Sequence, residues 1–183
     1  MENSEERVYI DAIQNGDPAP YAFIVNAYQH MAYTIAIRIL RNAEDAEDVS
    51  QESFIKAYQQ IKQFQGKSKF STWLYTIVYR TAISKLKENR IDTLSISDAI
   101  NENYTLDSSA PQLEQLRLNE EQTYVKQAIQ KLPQTEAVVI TLFYLNENSI
   151  NEIKEITGLS SAVIKIRLFR ARKKLERELK GFL

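Results

Sequence analysis

The stretch Ser149–Leu175, SINEIKEITGLSSAVIKIRLFRARKKL, decides the reading of this chain. It divides into two apolar-periodic segments around Gly158. Ile150, Ile153 and Ile156 give the first segment an inward stripe; Ile164, Leu168, Ala171 and Leu175 give the second another at helical spacing. Gly158 stands where a helix would end in the left-handed conformation that a Cβ disfavours. Leu159 packs in the turn, and Ser160 can cap the next helix through its hydroxyl. Lys165, Arg167, Arg170, Arg172, Lys173 and Lys174 fall largely outside the second stripe. Two helices, a glycine turn and a basic second helix make the outline of a helix-turn-helix, which lays its second helix in the major groove of DNA. A plain helical hairpin with a basic end is the alternative. The glycine position, the cap and the polarity together favour DNA binding.

Outward from this motif, the whole chain reads as helical. It has 183 residues, with only four glycines and four prolines, and no long β-branched alternation. Helices are expected over about 4–15, 21–41, 43–64 and 70–89. Their inward residues would be Val8, Ile10 and Ile13; Phe23, Ile24, Tyr28, Met31, Ile35 and Ile39; Val49, Phe54, Ala57, Tyr58 and Ile61; and Phe70, Trp73, Leu74, Ile77, Thr81 and Ala82. Asn42 reads as the stop of the second helix. Residues 91–111 lose the helical pattern and are rich in Ser, Asp, Asn and Thr, the composition of a flexible linker. A further helix runs over about 112–131, and Leu132-Pro133 opens the next with proline at the first helical position. The expected architecture is therefore all-α, with two small helical domains, residues 1–90 and 112–183, joined by a flexible linker, and a helix-turn-helix in the second.

Several function classes are excluded by composition. There is no cysteine, so disulfides and thiolate metal sites cannot form, and the lone His30 makes no metal cluster. No nucleophile–base pair or phosphate loop is legible, so no catalytic residue, cofactor or metal is expected. The acidic, polar start lacks the form of a signal peptide. The longest apolar stretch, Met31–Leu40, is too short to span a bilayer. No membrane insertion is expected, and a cytoplasmic location is.

The net charge of −1 conceals strong segregation. Residues 1–60 carry −6, residues 61–90 carry +6, residues 91–118 carry −4, residues 119–149 carry −2 and residues 150–183 carry +5. Two separated basic blocks suggest two contacts with nucleic acid, and the acidic stretches suit a basic protein partner. On the acidic third helix, Asp48, Gln51 and Glu52 stand at i, i+3 and i+4 and share one face. An ordinary solvated surface is the plain alternative. The first basic block, Phe64–Lys87, has Lys67 and Lys69 in a loop and interleaves cations with Phe64, Phe70, Trp73, Tyr75 and Tyr79. That pattern suits melted DNA, whose bases stack on rings while phosphates meet Lys and Arg. Thr72, Thr76, Arg80, Ser84 and Lys87 would form one outward stripe, and Trp73 reads as core. Before any resemblance is weighed, a DNA-binding regulator with a ligand-sensing or dimerising first half fits as well.

The order of these motifs adds what each lacks alone. An acidic DAEDVSQESF helix, then FQGKSKFSTWLY, a polar linker, an LP-started helix and GLSSAVIKIRLFRARKKL together resemble a bacterial RNA polymerase sigma factor of the extracytoplasmic-function group, over about residues 5–180. The resemblance implies that Asp48, Gln51 and Glu52 bind the β′ clamp helices of core RNA polymerase, with the β flap a further contact. It implies that Gln65, Lys67, Ser68 and Lys69 cup a flipped base of the minus-ten promoter element while Arg80, Ser84 and Lys87 track the strand. Ser161, Ala162, Lys165, Ile166 and Phe169 would face base edges of the minus-thirty-five element, and Arg167, Arg170, Arg172 and Lys173 would neutralise phosphates. An inhibitory anti-sigma partner is also implied. The chain departs from the family pattern at Lys154, where a small residue is usual in the first helix of the motif, so that Lys154 must snorkel or the helices splay. It departs again at Ile166, at Arg80 in place of a frequent asparagine, and at Ala137 in place of a basic residue.

Overall fold

The computed structural model describes residues 3–95 and 124–180, all helix and connecting turns. In order these are α1 (Asn3–Gln14), α2 (Tyr21–Leu40), α3 (Ala43–Gln60), a 3₁₀ turn (Ile61–Gln63) and α4 (Phe70–Ser95). A helical segment over 124–130 follows, then α5 (Gln134–Tyr144), α6 (Ile150–Thr157) and α7 (Ser161–Leu179). The expected break after residue 90 comes later, because α4 continues to Ser95. The rest of the expected linker, and most of the helix read over 112–131, lie outside the described residues.

Local chemistry sets the ends of these helices. Asn42 starts a helix rather than stopping one: its side chain accepts a hydrogen bond from the Asp45 amide at 3.0 Å, the N-cap of α3. Arg41, at φ 58°, takes the left-handed position that ends α2. Glu44 and Asp45 then fill the first turn of α3, where the helix dipole favours negative charge. Pro133 is the N-cap of α5, one position before the first helical residue where it was expected. Ser149 and Glu152 form a capping box on α6, and Ser160 caps α7. Gly158 closes α6 at φ 72°.

In the first domain α2, α3 and α4 pack on one another, and α1 lies along α2. Ile24, Ile35, Val49, Leu74, Val78 and Ala82 fill its centre. Three residues read as core are instead outside: Val8, Phe23 and Tyr58 are exposed. Their helices carry more apolar residues than one buried stripe can hold. Tyr9, beside Val8, stacks on Phe23 at 5.0 Å. Thr72, expected on the outward stripe of α4, is buried at 1% exposure.

The second domain packs α5 on α7 and α6 on both, around Leu142, Ile153, Ile156 and Ile164. Lys154 neither snorkels nor splays the motif; it is exposed, because the packed face of α6 is that of Ile153 and Ile156. The two domains are docked. α6 lies against α4, and α5 against α2, so that one continuous buried core contains residues of both. The Arg41 guanidinium donates to the Leu132 carbonyl, and Gln134 Nε2 donates to the Ile39 carbonyl at 2.7 Å.

A Cβ at residue 158 would meet no neighbouring atom within 4 Å, so the demand for glycine there is one of backbone conformation alone. Gly158→Ala should therefore destabilise the chain by about 1–2 kcal/mol. A urea titration should show a lower midpoint with an unchanged slope.

Candidate functional surfaces

The loop between the 3₁₀ turn and α4 is built from its ends inward. Phe64 and Phe70 meet edge to face at 5.3 Å, and Trp73 joins them at 5.4 Å from each ring. This aromatic clasp pins the two ends of the loop together. Gly66, at φ 67°, turns the chain between them. From the other side, Gln14 Nε2 donates to the carbonyls of Ile61 at 2.8 Å and Phe64 at 2.9 Å. The result is an open cavity of about 670 Å³ lined by Gln65, Gly66, Ser68, Lys69 and Phe70 on one side. Glu6, Arg7, Asp11 and Gln14 of α1 line the other. Sequence reasoning missed the α1 wall, since nothing local links α1 to a loop so far along the chain. Tyr28 holds the buried Glu6 carboxylate by donating its hydroxyl, and burial with this partner pushes the Tyr28 phenol well up. Gln65 and Lys67 are exposed, as are Arg80, Ser84 and Lys87 on one side of α4. Trp73 is half-buried in the clasp, which agrees with a packing role.

Asp48, Gln51 and Glu52 are all exposed on α3, and Glu52 pairs with Lys56 at 2.7 Å. Beside them runs an apolar groove of about 640 Å³ between α2 and α3, lined by Tyr21, Val25, Phe54, Ile55 and Tyr58 among others. Tyr21 donates its hydroxyl to the Phe54 carbonyl at 2.5 Å, which braces the groove floor. Ile55 was not singled out from the sequence and Tyr58 was read as core. The signal lay in the crowding of Phe54, Ile55, Ala57, Tyr58 and Ile61, which cannot all share one face.

On α7 the residues expected to meet DNA divide into three groups. Ala162, Lys165, Ile166, Phe169 and Arg170 are exposed, with Ser161 half-buried at the helix start. Lys173 lies over the Phe169 ring at 5.2 Å. Arg172 is committed elsewhere: its guanidinium sits 5.6 Å from the Phe143 ring centre and 5.5 Å from that of Tyr144, and its Nε donates to the Tyr144 hydroxyl at 2.7 Å. Arg167 is half-buried with no hydrogen-bond partner at Nε among the described residues, and its charge acts on Tyr79 of α4. Among the described residues, no three metal-ligating side chains converge, and no helix is long and apolar enough to cross a membrane.

Comparison with known proteins resolves which family shares this arrangement. Residues 24–91 match the model of Sigma-70 region 2, and residues 122–175 match that of Sigma-70 region 4. The ECF RNA polymerase sigma factor SigW of Bacillus subtilis is 34% identical over 93% of this chain and 95% of its own. The chain belongs to the extracytoplasmic-function sigma factors. A second relative, the ECF RNA polymerase sigma-E factor of Escherichia coli K12, is 33% identical over the whole of this chain and 98% of its own. Among solved structures, RpoE of Bartonella quintana, determined in complex with the anti-sigma factor NepR, matches with a TM-score of 0.73 at 21% identity. That match covers 87% of this chain and 96% of RpoE. CnrH, determined with the cytosolic domain of CnrY, matches with a TM-score of 0.63 at 20% identity, over 96% of this chain and 97% of CnrH. At those identities the likeness concerns the fold. This sigma factor is thus a transcription initiation factor that binds core RNA polymerase and directs it to promoter DNA.

The two arginines of α7 should separate in experiment. Arg170→Ala should lower DNA affinity at every sequence and flatten the salt dependence by about one unit of slope. Arg172→Ala should leave that slope nearly unchanged and instead cost about 1 kcal/mol of stability, read by denaturant titration.

Proposed function

We propose that the sigma factor divides its work between two modules: the first, expected over residues 1–90 and carried on to Ser95 by α4, for polymerase binding and minus-ten melting, and residues 112–183 for minus-thirty-five recognition, with the remainder of 91–111 as the linker. The observation that carries this division is the location of the loop cavity and the recognition helix in separate domains, each beside its own basic surface. Asp48, Gln51 and Glu52 meet the β′ clamp helices, and the apolar groove beside them adds Ile55 and Tyr58 to the same contact. A second contact, with the β flap, falls to the second domain. The loop Gln65–Lys69 holds an extruded base, and Arg80, Ser84 and Lys87 follow the strand. Ser161, Ala162, Lys165, Ile166 and Phe169 read base edges, with Ile166 suited to a thymine methyl. Of the phosphate contacts, Arg170 and Lys173 are the best presented.

The factor has no catalytic chemistry of its own, since nucleotide addition belongs to the polymerase, and it works in the cytoplasm, where the polymerase is. An anti-sigma factor covering its polymerase-binding surfaces is a further partner. The co-complexes of RpoE with NepR and of CnrH with CnrY motivate this reading.

Run-off transcription with core enzyme tests the assignment: promoter-specific transcripts should depend on the protein. Asp48→Lys with Glu52→Lys should weaken core binding on the order of tenfold or more, because like charges then face the basic partner. The second change also sets a new cation beside Lys56. DNA binding by the helix-turn-helix should be unaffected. Equal capture of core polymerase by variant and wild type would reject the acidic face as the contact.

A further inference from the structure

The loop cavity has two unlike walls. On the loop side the charges are positive. Lys67 is exposed, and Lys69 is paired with Glu152 of α6, Nζ to Oε1, at 2.8 Å. The other oxygen of Glu152, Oε2, accepts from the Ser149 amide and hydroxyl, both at 2.7 Å. Across the cavity stands α1, with Glu6, Arg7, Asp11 and Gln14. Neither Arg7 nor Asp11 is in an ion pair among the described residues, so this wall keeps an excess of negative charge at Glu6 and Asp11.

Three of the four polar side chains on the α1 wall can only accept. The Gln14 amide spends both of its N–H groups on the Ile61 and Phe64 carbonyls, at 2.8 and 2.9 Å. That fixes the sense of the amide and leaves its oxygen as the remaining polar atom. Glu6 is 9% exposed, and its Oε1 accepts from the Tyr28 hydroxyl. No described residue bonds to its Oε2, so one oxygen of a positioned carboxylate is left for an incoming donor. Asp11 is exposed and adds a second carboxylate. Arg7 is the one donor side chain that α1 gives to the cavity.

We propose that α1 is the reading wall of the base cavity, where Glu6, Asp11 and Gln14 select a base that carries an exocyclic amine and reject thymine. The inference rests on the reading of the loop as the holder of an extruded minus-ten base. The polarity of the two walls orients that base. Phosphates stay with the cations of the loop, away from the carboxylates, and the hydrogen-bonding edge of the base turns to α1. Adenine, cytosine and guanine each carry an amine on that edge, whereas thymine has a ring N–H between two carbonyl oxygens. A thymine would set those oxygens against carboxylates. Buried acceptors left without donors cost more than the same bonds contribute when made, so the wall discriminates mainly by rejection. Tyr28 is a positioning residue in this scheme, because its hydroxyl holds Glu6 in place.

The test uses holoenzyme and single-stranded oligonucleotides of the non-template strand, spanning the minus-ten element of a promoter that it transcribes. Each position in turn carries adenine, purine (adenine without its amine), thymine or an abasic sugar. At one position purine and thymine should bind about tenfold or more weakly than adenine. Glu6→Gln still accepts from Tyr28 but turns an amide N–H toward the cavity, so it should reverse the order there and favour thymine over adenine. Asp11→Asn, at an exposed position, should narrow the gap between adenine and purine, and it carries the test if thermal melting shows that Glu6→Gln does not fold. A gap unchanged in every variant that folds overturns the proposal. So does the lack of a gap at every position where the abasic sugar is costly. If the abasic sugar costs nothing at any position, the loop holds no base and the underlying reading fails with it, which tells the two failures apart.

Discussion

The burial of α4 on two sides is the constraint on which the rest of the molecule depends. Leu74, Val78 and Ala82 are buried in the first domain, where α4 packs on α2 and α3. α4 also packs along α6, and Tyr75 stands between the domains: its ring meets Tyr28 at 6.0 Å while the Asn146 side chain acts on its hydroxyl from the second domain. A helix so enclosed cannot be displaced without opening apolar surface on one side or the other, and the hydrophobic effect resists that in proportion to area. The loop before α4 inherits this fixed position. Its aromatic clasp starts at Phe70, the first residue of the helix, and Lys69 precedes it directly. The placement of the basic loop, the cavity against α1 and the contact with Glu152 all follow from where α4 begins.

Much of this was legible in the chain itself, for a physical reason. Helix ends are written in short-range chemistry, and Gly158, Ser160 and the acidic first turn of α3 did what backbone freedom, a hydroxyl cap and the helix dipole dictate. Asn42 shows the limit of that reasoning. An asparagine between two helices suits the end of one or the start of the next, and only the Asp45 amide above it decides between them. Buried stripes were read well where a helix has just enough apolar residues, as in α6 and α7. They were read less well where it has a surplus, as at Val8, Phe23 and Tyr58, because an exposed apolar side chain costs little when isolated.

The surfaces were harder to foresee than the core. Exposure of Asp48, Gln51 and Glu52 followed from charge and spacing, but the groove beside them needs α2 to pass α3 at a given angle. The wall that α1 gives to the loop cavity depends on Gln14 reaching two carbonyls, those of Ile61 in the 3₁₀ turn after α3 and of Phe64 just beyond it. Arg172 carries the same charge as Arg170, and its attachment to Phe143 and Tyr144 depends on which face of α7 meets α5. Docking of the domains is not written in linker composition, which governs how far a segment can reach and not what its ends prefer to touch.

The two oxygens of Glu152 divide two duties. One completes the cap of α6 and the other reaches across to Lys69. Losing the second would leave the first in place, so the cap of α6 does not depend on the contact with the first domain. A module whose helices are capped from within meets DNA with its recognition helix already ordered, and no ordering entropy is subtracted from its binding at the moment of contact.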